Sequence, residues 1–397
     1  MAHPNDISAG NGGFFRFGGL IAAIVTISSV GIALSLSLPL LSFILEARGT
    51  SASAIGANSA MAGLASIVVV PFVTPLAHRL GTGNLLIAAI LVAAVSLFAF
   101  HLTDSFTLWF VLRVFLHGAI TAIFVLSEFW INALAPNAHR GLILGIYATV
   151  LSLGFAAGPA ILSVTGFVGP LPFIVGFIIL AVSSIPVIFT RTTSPVVDNE
   201  PASASLKFLF TAPIATFAAL AFGAVESAML AFLPVYGLRL GFDAENAALF
   251  TSVATLGNVV LQIPLGFISD RIDRRYLLVL CALVGVGGAL LMPVLSGTPF
   301  ALLADLFIWG GVTAGLYTIG LAHLGSRFTG TDLANANSAF IMMYATGMLI
   351  GPATVGAGLD LWDPHGFAYV CATIFGVYAL LALMRIARSH ANPHHNS

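Results

Sequence analysis

Twelve runs of about 20 or more mostly apolar residues fill nearly the whole chain, and runs of that length limit the fold more than any motif does. A bilayer offers no water to the backbone, so each run must satisfy its amides internally, as an α-helix does. The runs read as residues 16–45, 53–77, 83–101, 106–134, 140–165, 170–189, 208–237, 244–268, 275–295, 299–323, 333–358 and 366–388. A membrane β-barrel would need strands that alternate apolar and polar over about 10 residues; these runs are apolar on every side. The first run is too long for a signal peptide and lacks a small-residue cleavage site before a soluble domain, so it reads as a span. The expected fold is an all-α integral membrane protein with 12 transmembrane helices.

Charge narrows the function. Only 7% of the 397 residues are charged, against about 25% in a soluble domain. A net charge of -1 provides no basic field for phosphates, so nucleic acid is excluded as a partner. The partner implied is the lipid bilayer. Cys281 and Cys371 both lie inside apolar runs, which argues against a disulfide framework or a thiolate metal cage. No phosphate-binding loop, nucleophile elbow or H-E-x-x-H motif occurs, so no catalytic residue, metal site or cofactor is expected and the chain does not read as an enzyme. A membrane-embedded enzyme would also need a second polar group within reach of a nucleophile or metal ligand, and none is visible. His390, His394 and His395 lie in a short polar tail to which no site is assigned.

Cytoplasmic loops carry the positive excess. With the N-terminus inside, Arg16, Arg79, Arg140, Arg191, Lys207, Arg271, Arg274, Arg275, Arg327, Arg385 and Arg388 are cytoplasmic, and only Arg48 and Arg239 fall outside. Both termini are therefore expected in the cytoplasm.

The halves repeat. A polar stretch rich in Pro, Ser and Thr, residues 191–207, separates an N-terminal bundle (1–190) from a C-terminal bundle (208–397) and reads as a cytoplasmic linker. Pro39 and Pro234 stand 195 residues apart, Gly49 and Gly241 192, Pro71 and Pro264 193, and Gly158-Pro159 and Gly351-Pro352 193. Recurrence at nearly one offset indicates duplication, giving two pseudo-symmetric six-helix bundles.

The loop after the eighth span reads Gly266-Phe-Ile-Ser-Asp270-Arg271-Ile-Asp273-Arg274-Arg275. It resembles the G-x-x-x-D-R-x-G-R-R signature of the major facilitator superfamily. The N-terminal half holds a degraded copy, Thr74-Pro-Leu-Ala-His78-Arg79-Leu-Gly81, and Arg113 with Gly118 is similar to the superfamily's fourth-span pattern. Gly154-x-x-x-Gly158-Pro159 resembles its fifth-span motif, and the run from Glu128 to Gly141 is similar to a largely uncharacterised bacterial group. Membership implies a monomeric secondary transporter of the bacterial inner membrane. It also implies that spans one, four, seven and ten line a central cavity, and that the loop forms a cytoplasmic gate. In that gate Asp270 would rest on a neighbouring helix N-terminus, where the helix dipole favours an anion. His78 departs from the pattern and makes the N-terminal copy weaker or pH-sensitive. Gly158, Pro159, Gly351 and Pro352 act mechanically: glycine admits close packing and proline permits a bend.

An ionisable group in hydrocarbon costs at least about 2.5 kcal/mol, so it normally faces a cavity and has a task. The four such groups are Arg113, Glu128, Glu226 and Asp305. Glu226, near the middle of span seven, is expected to exchange protons or meet a cationic substrate, with structural hydrogen bonding as the alternative. Arg113 and Asp305 lie 192 residues apart, at matching depths, and are expected to partner across or beside the cavity; separate partners for each are the alternative. His117, one turn from Arg113, is a proton-relay candidate. Glu128 is expected near the cytoplasmic gate with Arg79 or Arg140. Asn258, Gln262, Tyr317 and Tyr344 supply uncharged polar groups that either touch substrate or bond between helices.

Phe, Met and small residues around so few charges favour an amphiphilic or moderately apolar small molecule over a sugar. The function expected is proton-coupled export by alternating access. An uptake symporter or uniporter is the alternative within the class, and a transporter-like sensor or scaffold the alternative outside it.

Overall fold

A computed structural model of the protein describes residues 6–135, 140–195, 211–328 and 330–391. Most of the linker, with Lys207, lies outside the described residues, as do His394, His395 and the side chains of Arg16, Arg140 and His390. The described chain is helical, with no strand among the described residues.

The helices are α1 (Asp6–Ala47), α2 (Ala52–Leu80), α3 (Thr82–Ala99), α4 (Phe106–Leu134), α5 (Arg140–Thr165), α6 (Leu171–Thr190), α7 (Pro213–Arg239), α8 (Ala244–Ser269), α9 (Arg274–Leu295), α10 (Pro299–Thr313), α11 (Gly315–Arg327), α12 (Gly330–Leu361) and α13 (Gly366–Ala391). Among the described residues, eleven stretches are long and apolar enough to cross a membrane; the remaining expected span is α5, whose stretch Thr149–Thr165 is a shorter apolar helix. Large apolar side chains such as Phe72, Val95, Phe189, Ile263 and Phe300 point outward, as lipid-facing residues do in place of a polar surface.

The expected span 299–323 holds as one stretch long and apolar enough to cross a membrane, Pro299–Arg327, interrupted only between Thr313, where α10 stops, and Gly315, where α11 begins. A glycine cluster lies at this point. A Cβ on Gly310 would meet the Ala254 carbonyl oxygen and one on Gly311 the Gly257 carbonyl oxygen. The backbone of α10 therefore lies directly on α8, through residues that are poor helix formers.

The duplication recurs in backbone geometry. α1 ends in a turn where Gly49, at φ 75°, donates to Glu46 O and Thr50 donates to Leu45 O. At an offset of 192, α7 ends with Gly241 at φ 90° donating to Leu238 O and Phe242 donating to Gly237 O. Both follow the left-handed C-terminal cap that glycine permits. Helix packing repeats as well. Gly31 of α1 sits against the Leu151 carbonyl oxygen of α5, and Gly223 of α7 sits against the Tyr344 carbonyl oxygen of α12. Gly158 meets α1 at Ser35 and Leu36, and Gly351 meets α7 at Ala224. Pro159 and Pro352 lie inside α5 and α12 beside these contacts.

Compactness divides the chain into one unit of residues 1–37 and 65–201 and another of residues 38–64 and 202–397. One ends of α1 and one of α2 thus group with the C-terminal residues.

Candidate functional site

The second unit contains a carboxylate surrounded by aromatic rings. Because Gly223 lets α7 touch the α12 backbone at Tyr344, the Tyr344 hydroxyl reaches Glu226 and donates to its Oε2 at 2.5 Å. The Tyr344 ring lies 6.2 Å from Phe222 and 5.4 Å from Tyr317, which in turn packs edge-on against Phe340 at 5.1 Å. Beside Glu226 opens a small cleft of about 10 Å³, room for a single water, lined by Phe222, Met229, Asn258, Trp309 and Thr313. Asn258 Oδ1 accepts from Gln262 Nε2 at 2.7 Å. The Trp309 indole donates to Gly285 O at 3.0 Å, which fixes the orientation of its ring. Among the described residues no Lys, Arg or His forms an ion pair with Glu226. Glu226, Tyr344, Tyr317, Asn258 and Gln262 were each legible as candidates, and the structure gathers them in this one region.

Two other candidates meet in the first unit. Arg113 and His117 of α4 are both buried, with His117 Nδ1 3.2 Å from the Arg113 carbonyl oxygen. One turn on, Thr121 donates to His117 O and shares a hydrogen bond with Ser66 of α2, both at 2.8 Å. The His117 Nε2 atom is buried without a hydrogen-bond partner among the described residues. Glu128 does not continue this buried stripe; it is exposed. Its expected pairing with Arg79 is not made among the described residues, and the Arg140 side chain lies outside them.

Asp305 belongs to the second unit, one turn before Trp309 on α10. Its Oδ1 lies beside Gly288 of α9, and its Oδ2 is buried with no hydrogen-bond partner among the described residues.

Among the described residues the signature loop bonds locally: Asp270, expected on a neighbouring helix N-terminus, ends α8 and accepts from Arg274 Nη2 at 3.2 Å. The nearby pairing at four residues' spacing satisfies it. The cap of α9 is Asp273 instead, which accepts from Arg275 N at 2.9 Å and from the Arg275 guanidinium at 2.7 Å. The guanidinium bond holds the Asp273 carboxyl below the usual carboxylate range. Arg271 lies over the Phe267 ring, 3.3 Å from its centroid. Around Gly266 there is open space, so packing does not demand glycine there. His78 and Arg79 are exposed at the end of α2.

A polar cluster at the far end of the second unit was missed. Arg239, the last residue of α7, donates through Nε and Nη2 to both Glu46 oxygens, at 2.8 and 3.1 Å, and through Nη1 to Asp363 at 2.8 Å. Asp360 accepts from Ala52 N and Ser53 N, at 3.0 and 2.8 Å, which satisfies the first amides of α2. Close by, Gly56 touches Pro352 O and Gly356 touches Ala52 O. Residues this far apart in sequence gave no local signal. Trp309 was missed too, although it stands 192 residues after His117, a spacing equal to the repeat offset.

Comparison with known proteins agrees with this architecture. The model of the Major Facilitator Superfamily matches residues 22–256 and 240–397. An uncharacterised MFS-type transporter of Bacillus subtilis, YfkF, is 25% identical over 367 residues, covering 91% of this chain and 94% of that protein. YcaD of Escherichia fergusonii, also described as an uncharacterised MFS-type transporter, is 24% identical over 322 residues, covering 80% and 82%. In fold the chain is similar to a mutant form of the nucleoside transporter NupG, with a TM-score of 0.75 at 16% identity, covering 92% of this chain and 99% of that one. It is also similar to a bacterial homolog of the human lysosomal transporter Spinster, with a TM-score of 0.74 at 13% identity, covering 93% and 96%. A duplicated twelve-span bundle whose two halves both match the superfamily model belongs to the Major Facilitator Superfamily, a family of membrane transport proteins and not of enzymes.

Proposed function

We propose that this transporter exports a small amphiphilic or moderately apolar organic compound across a bacterial inner membrane in exchange for protons, with Glu226 as the group that holds the proton. The observation that carries this reading is the Glu226 carboxylate: it sits within an apolar span beside a cleft, takes a hydrogen bond from Tyr344, and has no cationic partner among the described residues. A charge so placed is costly. A proton or a cargo group offsets that cost, and exchanging one for the other couples the two movements. Arg113, His117 and Asp305 are further charged or titratable groups in spans expected to line the cavity.

Orientation follows from the excess of arginines and lysine at one set of loops, which puts both termini in the cytoplasm and Arg239 on the outer side. Alternating access then requires the outer fastening of residues 38–64 to break and re-form in each cycle. The Arg239 bridge and the Asp360 cap are the bonds that would open. A partly exposed polar network suits such a switch, because desolvation offsets attraction and the contact stays reversible.

The test is reconstitution into vesicles with an internal pH dye and a panel of amphiphilic cations, anions and neutral metabolites. Proton movement that depends on one compound, and that Glu226→Gln abolishes, is the expected result. Transport of a compound with no proton movement would favour a uniporter.

A further inference from the structure

We propose that His365 is an acid-sensitive latch on the polar cluster at the end of α7: neutral, it holds Tyr236 and the bonds around Arg239 stay closed; protonated, it loosens them. The side of the membrane follows the orientation given above, and the latch itself depends on this cluster alone.

His365 is the residue before α13 and is partly exposed, so a proton from water reaches it. Its Nδ1 lies 3.2 Å from the Tyr236 hydroxyl, and its ring packs against those of Tyr236 and Tyr369, at 6.0 and 6.4 Å. Tyr236 is fully buried, and this is the one hydrogen bond of its hydroxyl among the described residues. A buried phenol has a proton to donate, so Nδ1 accepts it and Nε2 carries the proton of the neutral imidazole. The Tyr236 ring also stacks on Phe367 of α13 at 5.6 Å. The start of α13 is thus tied to α7 one turn before Arg239.

Protonation reverses the chemistry of that tie. A charged imidazole donates at both nitrogens. Nδ1 then no longer accepts, and the Tyr236 proton is left buried without a partner, which is unfavourable. The His365 carbonyl accepts from Tyr369 N in the first turn of α13, so the new charge sits at a helix N-terminus, where the dipole disfavours a cation.

The surrounding charges give the effect its sign. α7 brings Arg239, the end of α1 Glu46, the end of α12 Asp360, and the loop between α12 and α13 Asp363. α13 brings Tyr369, and α10 brings Asp305, whose charge reaches Tyr236. The three acids around Arg239 are already in use: Glu46 and Asp363 hold its guanidinium, and Asp360 holds the amides of Ala52 and Ser53. A cationic His365 that stays in place repels Arg239. One that turns to Asp363, two residues away, takes that carboxylate from Arg239. Either movement weakens the bridge. The cluster is therefore closed at alkaline pH and loosens as pH falls through the range where a histidine gains its proton, from about 8 to 5.

Nitroxide labels on Ser53→Cys and Leu361→Cys read this closure. Ser53 N donates to Asp360 Oδ2 at 2.8 Å, and Leu361, the next residue, is 71% exposed, so the two labels straddle the fastening; Cys281 and Cys371 are buried. In detergent solution, spin–spin broadening should be strong at pH 8 and fall by about half or more by pH 5. His365→Asn places an amide oxygen where Nδ1 stood and does not titrate, so it should stay broadened at both pH values. His365→Ala, checked for folding by its thermal unfolding, should be narrow at both. Equal broadening at the two pH values with His365 intact, or acid narrowing that persists in His365→Asn, would overturn the latch. Both results would leave proton exchange at Glu226 untouched, because the labels read closure and not transport.

Discussion

The two repeats hold the same backbone contact and opposite chemistry. At the junction of α1 and α5, Gly31 touches the Leu151 carbonyl oxygen; at the junction of α7 and α12, Gly223 touches the Tyr344 carbonyl oxygen. The residue 192 before Glu226 is Leu34, and the residue 193 before Tyr344 is Leu151. One copy therefore carries a hydrogen-bonded carboxylate where the other carries two leucines. Along α4 and α10 the divergence runs differently, with Arg113 and His117 matching Asp305 and Trp309. Duplication preserved the glycines that let helices touch and freed the neighbouring side chains to specialise. The scaffold is symmetric, and its polar chemistry is not.

The largest effect should come from breaking that asymmetry. Glu226→Gln should abolish proton-driven flux, a loss of at least about 100-fold if one group holds the proton, whereas Leu34→Gln at the matching position should leave flux near that of the unaltered protein. Vesicle flux assays on the pair check both.

The shared scaffold should fail alike in both copies. Gly223→Ala and Gly31→Ala each push a methyl group into a backbone oxygen that cannot move aside, and should each cost about 1–3 kcal/mol, read as lowered thermal unfolding temperatures in detergent. Only Gly223→Ala should also disturb transport, because it shifts Tyr344 relative to Glu226.

A smaller effect is expected at the end of α7. Arg239 has Ala47 as its counterpart 192 residues earlier, so this bridge exists once. Its members are partly exposed, with side-chain exposures of 18% for Arg239 and 61% for Asp363, and Arg239→Gln should cost no more than about 1 kcal/mol. Its signature should be greater reactivity of a cysteine placed at Ser53 toward an impermeant thiol reagent, on the side opposite the termini. Unchanged reactivity would remove the bridge from the gating account.

The smallest concerns Asp273, whose counterpart is Gly81, a cap without a side-chain bond. The folded Asp273 carboxyl ionises below its ordinary range. Its contribution is therefore complete above the unfolded value of about 3.9 and is lost as pH falls through the lower folded value. Asp273→Asn should remove that acid-dependent part, about 0.5–1 kcal/mol, leaving the unfolding temperature less sensitive to pH below about 4.

Much of this was legible in sequence because membrane helices must satisfy their backbones internally, so spans such as 106–134 and 140–165 coincide with α4 and α5. The repeat offset carried the glycine and proline anchors for the same reason: both copies must pack. What escaped was set by competition between nearby partners or by long-range contact. Asp270 was expected on a neighbouring helix N-terminus, and among the described residues its bond is to Arg274, four residues on, while Asp273 caps α9. Arg239 joins Glu46 and Asp363 across 193 and 124 residues, and no local pattern encodes such a meeting. The interruption at Ala314 falls beside Gly310, Gly311 and Gly315, and hydropathy alone does not distinguish a continuous helix from two aligned ones.

The most direct test of the account is infrared difference spectroscopy on the purified protein between acidic and alkaline pH. A protonated-carboxyl stretch should disappear as pH rises, shift in Tyr344→Phe, and be absent from the difference spectrum of Glu226→Gln. A carboxyl band unchanged by pH, or one that persists in Glu226→Gln, would contradict the claim that Glu226 holds the exchanged proton.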